Sequence, residues 1–186
     1  SEWTEAWIKG FEYILASRIG PRIAKQFTRV PIPKPKPGET RPLALVDDVW
    51  GMISDIIYED LSKAMERAGV LNDDIIAYRK GKGAMDAMIP IILMLEECFV
   101  SGEMVAIIDE DEEKYFDRVL TEIQYAAMKA IGLPDEGYLE INSEGMRDRE
   151  CTIITNRGEV KAQYLIGLMQ GQKLSVLVCN ANAMAK

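Results

Sequence analysis

Histidine is absent from this chain of 186 residues, and cysteine occurs only three times. Without histidine, Ser-His-Asp hydrolytic sites and histidine-ligated metal centres are excluded. Cys98, Cys151 and Cys179 lie far apart and have no C-x-x-C spacing, so neither a zinc site nor a disulfide framework is expected. Any chemistry must therefore use carboxylate, Lys, Tyr or Ser side chains.

Long apolar runs are also lacking. No stretch approaches the ~20 uninterrupted apolar residues that a membrane span needs. The first ten residues do not show the basic-then-apolar order of a signal peptide. Because 48% of the residues are hydrophobic, the chain has enough apolar surface for one sizeable core. We therefore expect a globular intracellular protein, nuclear or cytoplasmic, with no membrane partner.

Charge is distributed unevenly along the chain. The net charge is −8, yet residues 18–41 hold seven basic residues and one acidic residue, a surplus of +6 that leaves −14 for the rest. Such a basic strip favours contact with a phosphate backbone, because Lys and Arg supply most of the affinity for nucleic acid. A solvated surface explains the same pattern equally well. The strip consists of Arg18, Arg22, Lys25, Arg29, Lys34, Lys36 and Arg41.

The spacing of apolar residues predicts an α+β fold, in which helices pack on an antiparallel-leaning sheet without β-α-β repeats. Two segments alternate about turn residues and are predicted to form hairpins, at 27–46 and 147–166. Helices are predicted over the first twenty residues up to Gly20-Pro21, over 47–69, 84–100, 121–131 and 172–186, and in a shorter segment ending near 144.

The strongest chemical signal is acidic. Five acids, Asp109 to Glu113, follow the short run Met104–Ile108, whose β-branched residues predict a buried central strand. Clustered carboxylates repel one another, and hard cations such as Mg²⁺ neutralise that repulsion. A solvated acidic turn is the better explanation when the run is taken alone.

Three other segments carry weaker signals. Ile32–Leu43 is a proline-rich hairpin that would present Lys34 and Arg41 at fixed positions. Tyr78–Gly83 is a basic loop spaced by glycines, which suits phosphate without matching a P-loop. Gly167–Ser175 is a glycine-containing loop that opens a helix, where backbone N–H groups suit a nucleotide. Each segment alone is explained as well by a surface turn or connection.

Together, and in this order, the four segments resemble the reverse transcriptase family, particularly the LINE-like retrotransposon and group II intron kind. The resemblance spans residues 29–186. Met169 and Val176 depart from it, because they stand where the family usually has proline. The residues that carry it are Pro33-Lys34-Pro35 with Arg41-Pro42-Leu43, Tyr78 to Gly83 with Asp86-Ala87, Lys114, Phe116, Asp117 and Val119, and Gln170-Gly171 with Ser175.

The resemblance implies the fingers and partial palm of an RNA-directed DNA polymerase, a nucleotidyltransferase. Residues 1–100 would be mainly fingers, and 101–186 partial palm, with the hairpin at 147–166 returning to the fingers. The implied partners are an RNA template, a DNA primer, a deoxynucleotide, and the C-terminal palm and thumb of the same protein. Since the family's Ala-Asp-Asp motif and thumb are missing from the sequence, this chain alone is expected to be inactive.

The resemblance also implies roles for single residues. Asp111 would be the catalytic ligand of Mg²⁺, or of Mn²⁺ in its place, with Asp109 as the second choice and the Glu112 carbonyl as a further metal ligand. Phe116 would be the aromatic gate that packs against the sugar and excludes a 2′-OH. The nucleotide-binding residues implied besides Phe116 are Lys34, Arg41, Gln170 and Gly171.

Two other functions remain open. An RNA-dependent RNA polymerase palm also uses an aspartate followed by a second one, as Asp111 and Asp117 are arranged, although Phe116 favours deoxynucleotides. A non-catalytic scaffold that binds RNA or protein would keep the fold without the chemistry. A ribonucleotide-versus-deoxynucleotide assay separates the first, and insensitivity to loss of Asp111 identifies the second.

Overall fold

The structure is a computed structural model. It describes residues 2–19, 22–112, 114–134, 136–164 and 166–184, with the backbone alone at 23 and 24. Three features of the predictions lie outside these residues, namely the helix stop at Gly20-Pro21, the acid Glu113 and the end of the final helix at Lys186.

Within the described residues the chain forms seven α-helices, a short 3-10 helix and one four-stranded sheet, which confirms the α+β class. The helices are α1 (Glu2–Ser17), the 3-10 helix (Arg22–Lys25), α2 (Asp48–Arg67), α3 (Ala84–Ser101), α4 (Tyr115–Arg118), α5 (Thr121–Ala130), α6 (Tyr138–Met146) and α7 (Lys173–Met184). The strands are β1 (Gln26–Pro33), β2 (Thr40–Val46), β3 (Arg149–Thr155) and β4 (Gly158–Tyr164).

The sheet has the order β2-β1-β3-β4 and joins the two predicted hairpins. Each hairpin is antiparallel, with Phe27 opposite Val46 in the first and Arg149 opposite Tyr164 in the second. The central strands β1 and β3 run parallel, so the sheet is mixed. This parallel pair brings the N-terminal basic hairpin beside a hairpin that follows it more than a hundred positions later in the chain.

Helix α2 forms as its sequence pattern predicts. It begins where the Asp47 side chain accepts a hydrogen bond from the Val49 N–H at 2.9 Å, which satisfies an otherwise unpaired donor. Ile56 is 45% exposed, because the buried residues follow a narrow stripe along one face of the helix. That stripe consists of Trp50, Ile53, Ile57, Leu61 and Met65.

The core lies between the sheet and a group of helices. Helix α7 packs against α2 and α5, and α6 packs against α5. Phe27 and Cys151 place one face of the sheet in the same core. Leu120 precedes the first turn of α5, and the buried Gln124 side chain donates to the Val119 carbonyl at 3.3 Å.

The predicted buried strand at Met104–Ile108 is wrong for this structure. Residues 103–112 form neither helix nor strand, and Met104 and Ile108 are 101% and 92% exposed. A strand needs a neighbour to satisfy its backbone N–H and C=O groups. The strands of the described residues pair only among themselves, so nothing stands beside this run to complete a ladder.

Two helices predicted from apolar spacing also bury little. Helix α1 buries only Ile14, and its residues Trp3 and Trp7 are 80% and 50% exposed. Helix α3, every residue of which is described, has no buried residue and continues through Pro90. None of the helices formed by the described residues combines the length and the hydropathy that crossing a bilayer requires.

Candidate functional site

The loop between β4 and α7 is fastened to α4. The Gly167 N–H donates a hydrogen bond to the Val119 carbonyl at 2.9 Å, and the Leu168 N–H donates to the Phe116 carbonyl at 2.5 Å. These two bonds tie the glycine-containing segment to the short helix that ends the acidic segment. The predicted gate residue Phe116 therefore has a fixed backbone position relative to this loop.

The same loop is fastened to the outer edge of the sheet. The Ala44 N–H of β2 donates to the Gln170 carbonyl at 2.8 Å. Gly171 follows with φ +109°, and a Cβ there would lie 2.9 Å from Cδ1 of Leu43. Glycine is required here both by the backbone conformation and by the close approach of β2.

Only a short part of this loop reaches the surface. Leu168 and Met169 are buried, so methionine in the place of the family's proline is a core residue here. Gln172 is also buried and donates through Nε2 to the Ser54 hydroxyl at 3.2 Å. Gln170 is half-buried and Gly171 exposed, and these two are therefore the residues of the turn that a ligand can reach.

Most of the basic strip is neutralised by acids of the same chain, which argues against a continuous track for a phosphate backbone. Arg41 is the exception, since no acid within the described part of the chain pairs with it. The ion pairs of the others are Arg18–Glu140 at 2.6 Å, Arg22–Glu150 at 2.8 Å, Lys25–Glu144 at 2.6 Å, Arg29–Asp117, Lys34–Glu39 at 3.6 Å and Lys36–Glu39 at 2.7 Å.

Arg41 lies on β2 close to the loop. It is exposed, and it shares a strand face with Leu43, because alternate residues of a strand point to the same side. The Leu43 side chain is the one that approaches Gly171. Lys34 lies instead beyond the end of β1, where its backbone N–H donates to the Glu39 carbonyl at 3.0 Å. Arg41 therefore lies on the strand face whose Leu43 meets the loop, whereas Lys34 lies in the hairpin turn.

The predicted metal ligands lie in an exposed segment that precedes α4. Asp109, Asp111 and Glu112 are exposed in the segment that forms neither helix nor strand. Among the described residues, no three side chains of the types that bind metals come together. Asp117 is engaged elsewhere, since its carboxylate accepts a hydrogen bond from Arg29 of β1. The loop thus contacts Phe116 through Leu168 and contacts the strand of Arg41 through Gln170.

The basic loop at 78–83 is built into the fold. Two nitrogens of the Arg79 guanidinium donate to the Glu66 carboxylate of α2, Nε at 2.8 Å and Nη2 at 2.7 Å. Asp86 accepts from the Gly83 N–H at 2.7 Å and so caps α3. Arg79 holds the pKa of the Glu66 carboxyl below its usual value. Arg79 and Asp86 therefore have structural roles. Because Arg79 is bound to Glu66, it is not available for the phosphate contact predicted for this loop.

A further cluster, formed by Tyr164, Arg149 and Arg29, was not predicted from the sequence. The Tyr164 ring lies beneath two guanidinium groups, that of Arg149 at 4.8 Å and that of Arg29 at 5.1 Å from its centroid. Burial raises the pKa of Tyr164 and lowers the pKa of Arg149 to about 10. The available signal was that Arg149 and Cys151 stand two positions apart on a predicted strand, so that both point to the same face. In the structure that face is the buried one.

Neither a protein family model nor a curated protein sequence matches this chain. The argument for its function therefore depends on the residues and contacts described above.

Proposed function

We propose that this chain supplies the fingers and part of the palm of a reverse transcriptase. The observation that carries the proposal is the contact between the Gln170–Gly171 turn and β2, through the hydrogen bond from Ala44 to Gln170 at 2.8 Å. That contact puts the exposed turn beside the strand that presents Arg41. An arginine without an acidic partner suits the phosphates of an incoming deoxynucleotide.

The surroundings of Phe116 favour a deoxynucleotide. The bond from Leu168 to its carbonyl holds this residue next to the same loop. A half-buried aromatic ring in that place would pack against the sugar and exclude a 2′-OH. Asp117, the residue that an RNA polymerase would need to accept a 2′-OH, is occupied by Arg29. This pairing supports the reverse transcriptase over the RNA-dependent RNA polymerase.

Mg²⁺, with Mn²⁺ as a substitute, belongs to the proposal as the ion that carries the phosphoryl chemistry. The oxygens of Asp111 and Glu112 are the hard donors that such ions prefer. Two-metal transfer requires carboxylates that hold both ions ~3.5–4 Å apart. We propose that this chain binds a nucleotide and that polymerisation requires carboxylates beyond Asp111 and Glu112.

A primer-extension assay tests the proposal. It uses the product of the complete reading frame that contains this sequence, with an RNA template, a DNA primer, deoxynucleotides and Mg²⁺. Asp111→Ala should abolish extension, because the metal loses its ligand. The matched control is Glu103→Ala, which removes an exposed carboxylate from the same segment and should leave extension unchanged.

Three other outcomes redirect the assignment. If Asp109→Ala abolishes extension and Asp111→Ala does not, Asp109 is the metal ligand instead of Asp111. Incorporation of ribonucleotides as efficient as that of deoxynucleotides, unaffected by Phe116→Ala, identifies an RNA polymerase. The absence of extension by the complete, folded protein contradicts the proposal and leaves the scaffold that binds RNA or protein.

A further inference from the structure

Arg149 is buried without an acidic partner among the described residues. It is 1% exposed, and an arginine buried to this extent ordinarily has an acidic partner. Its partners in the structure are backbone carbonyls, that of Met146 at 3.1 Å from Nε and that of Gly167 at 3.0 Å from Nη2. Within the described residues Nη1 has no hydrogen-bond partner. An arginine held at this desolvation cost suggests a role outside β3 itself.

The bond from Arg149 completes the fastening of Gly167. The N–H of this glycine donates to Val119, and its carbonyl accepts from Arg149, so both of its backbone polar groups are engaged. Gly167 has φ +94°, and a Cβ there would lie 2.6 Å from Oη of Tyr164 and 2.9 Å from the Phe116 carbonyl. Gly167, at the start of the loop, is therefore enclosed too closely to accept a side chain.

Tyr164 connects this position to α4. Its ring contacts the Arg149 guanidinium on one hand and the Arg29 guanidinium on the other. Arg29 in turn pairs with Asp117 of α4. The arginine that holds the loop and the helix that receives it are thus linked through one aromatic ring. A displacement of Arg149 would therefore disturb its hydrogen bond to Gly167 and its contact with Tyr164, which leads through Arg29 to α4.

We propose that Arg149 is a positioning residue, which holds the Gly167 carbonyl so that Gln170 and Gly171 face the nucleotide. The identity of the ligand rests on the proposed function, whereas the positioning of the loop does not. Arg149 touches no substrate in this proposal and acts only through the loop. Its effect on nucleotide binding must therefore pass through Gln170 and Gly171.

The first experiment measures amide hydrogen exchange by NMR in the chain of 186 residues. Arg149→Met should speed exchange at the Gly167 and Leu168 amides by at least about tenfold, while the amides between β1 and β2 keep their rates. Arg149→Lys, which keeps the charge and one donor group, should restore part of the protection. The matched control is Arg147→Met, which removes an exposed charge two residues away and should change neither amide.

The opposite results are equally clear. Faster exchange throughout the sheet would show that Arg149 only stabilises the fold, and unchanged exchange at Gly167 and Leu168 would show that it does not hold the loop. If Arg149→Met fails to fold, Gly167→Ala takes its place. The added Cβ would displace the loop from Tyr164 and Phe116 without removing a charge, and should expose the Leu168 amide selectively.

The second experiment titrates the same chain with dTTP and Mg²⁺. Arg149→Met and Gln170→Ala should each weaken binding by about tenfold, and the double variant should bind no more weakly than Arg149→Met. Additive losses would overturn the proposal, because Arg149 would then act by a route other than the loop. Absence of dTTP binding by the unaltered chain would count against the proposed function, while the exchange comparison would still decide the role of Arg149.

Discussion

Two apolar helices of this chain, α7 and α3, differ in how much of their surface is buried. Helix α7 buries seven of its twelve residues, whereas none of the eighteen residues of α3 is buried. In composition α3 is the more apolar of the two. In the structure α7 lies between α2 and α5, while Phe99 and Val100 near the end of α3 are 89% and 86% exposed.

The difference shows that hydropathy measures what a helix gains from burial, not whether a surface is there to bury it. Burying one leucine contributes roughly 1.5–3 kcal/mol, but only when other side chains surround it. The described residues provide such a surface for α7 and not for α3. The apolar face of α3, together with the run at 104–108, makes self-association of the isolated chain an expected by-product.

Matched leucine truncations give the largest expected contrast. Leu174→Ala in α7 should lower the free energy of unfolding by about 3 kcal/mol, because Leu174 is 1% exposed and its loss leaves a cavity. Leu93→Ala in α3 should cost less than about 0.5 kcal/mol, because Leu93 is 58% exposed. Urea unfolding measures both. Equal losses would mean that α3 is packed in solution, and the contrast would fail.

Matched glycine substitutions should differ in sign. A Cβ on Gly145 of α6 would lie 1.9 Å from Cη2 of Trp50, so Gly145→Ala should destabilise by about 2 kcal/mol through overpacking. A Cβ on Gly10 of α1 meets nothing within 4 Å, so Gly10→Ala should stabilise by roughly 0.5–1 kcal/mol through helix propensity. Thermal unfolding of both variants is the measurement. Destabilisation by Gly10→Ala would show that α1 packs more closely than described.

The smallest expected effect concerns the ion pair between Glu66 of α2 and Arg79 of the segment that leads to α3. The Glu66 carboxylate binds Arg79, and its pKa in the folded protein is held below the usual 4.5. The stabilisation is therefore complete above that unfolded value and is lost as the pH falls through the lower folded pKa. Because Glu66 is a surface residue, the difference between wild type and Glu66→Gln should be below about 1 kcal/mol near neutral pH.

Unfolding measured across a pH series tests this expectation. The difference between the two proteins should shrink as the pH falls below 4.5, since the protonated carboxyl resembles the glutamine amide. Arg67→Gln offers a control, because it neutralises an exposed residue next to Glu66 without touching the pair. A difference that stays constant with pH would assign the effect to packing of the side chain rather than to its charge.

Local patterns in the sequence were sufficient for most of the secondary structure. The α+β class, both hairpins and α2 follow from side-chain spacing, which acts over a few neighbouring residues. The four-residue helix α4 was not anticipated, because so short a helix has no period to detect. The strand expected at 104–108 was wrong, because a strand depends on a partner that no local pattern specifies.

The candidate site divides in the same way. Its accessible residues, Arg41, Gln170 and Gly171, were recognisable from the order and spacing of the segments that resemble known motifs. The supports behind them, Arg149 and Tyr164, were not, because their partners lie on distant segments and are identified only by contact. Local propensity thus selected the elements, whereas packing, which compares all segments at once, decided which charges were paired, which helix was buried and which residues remained available to a ligand.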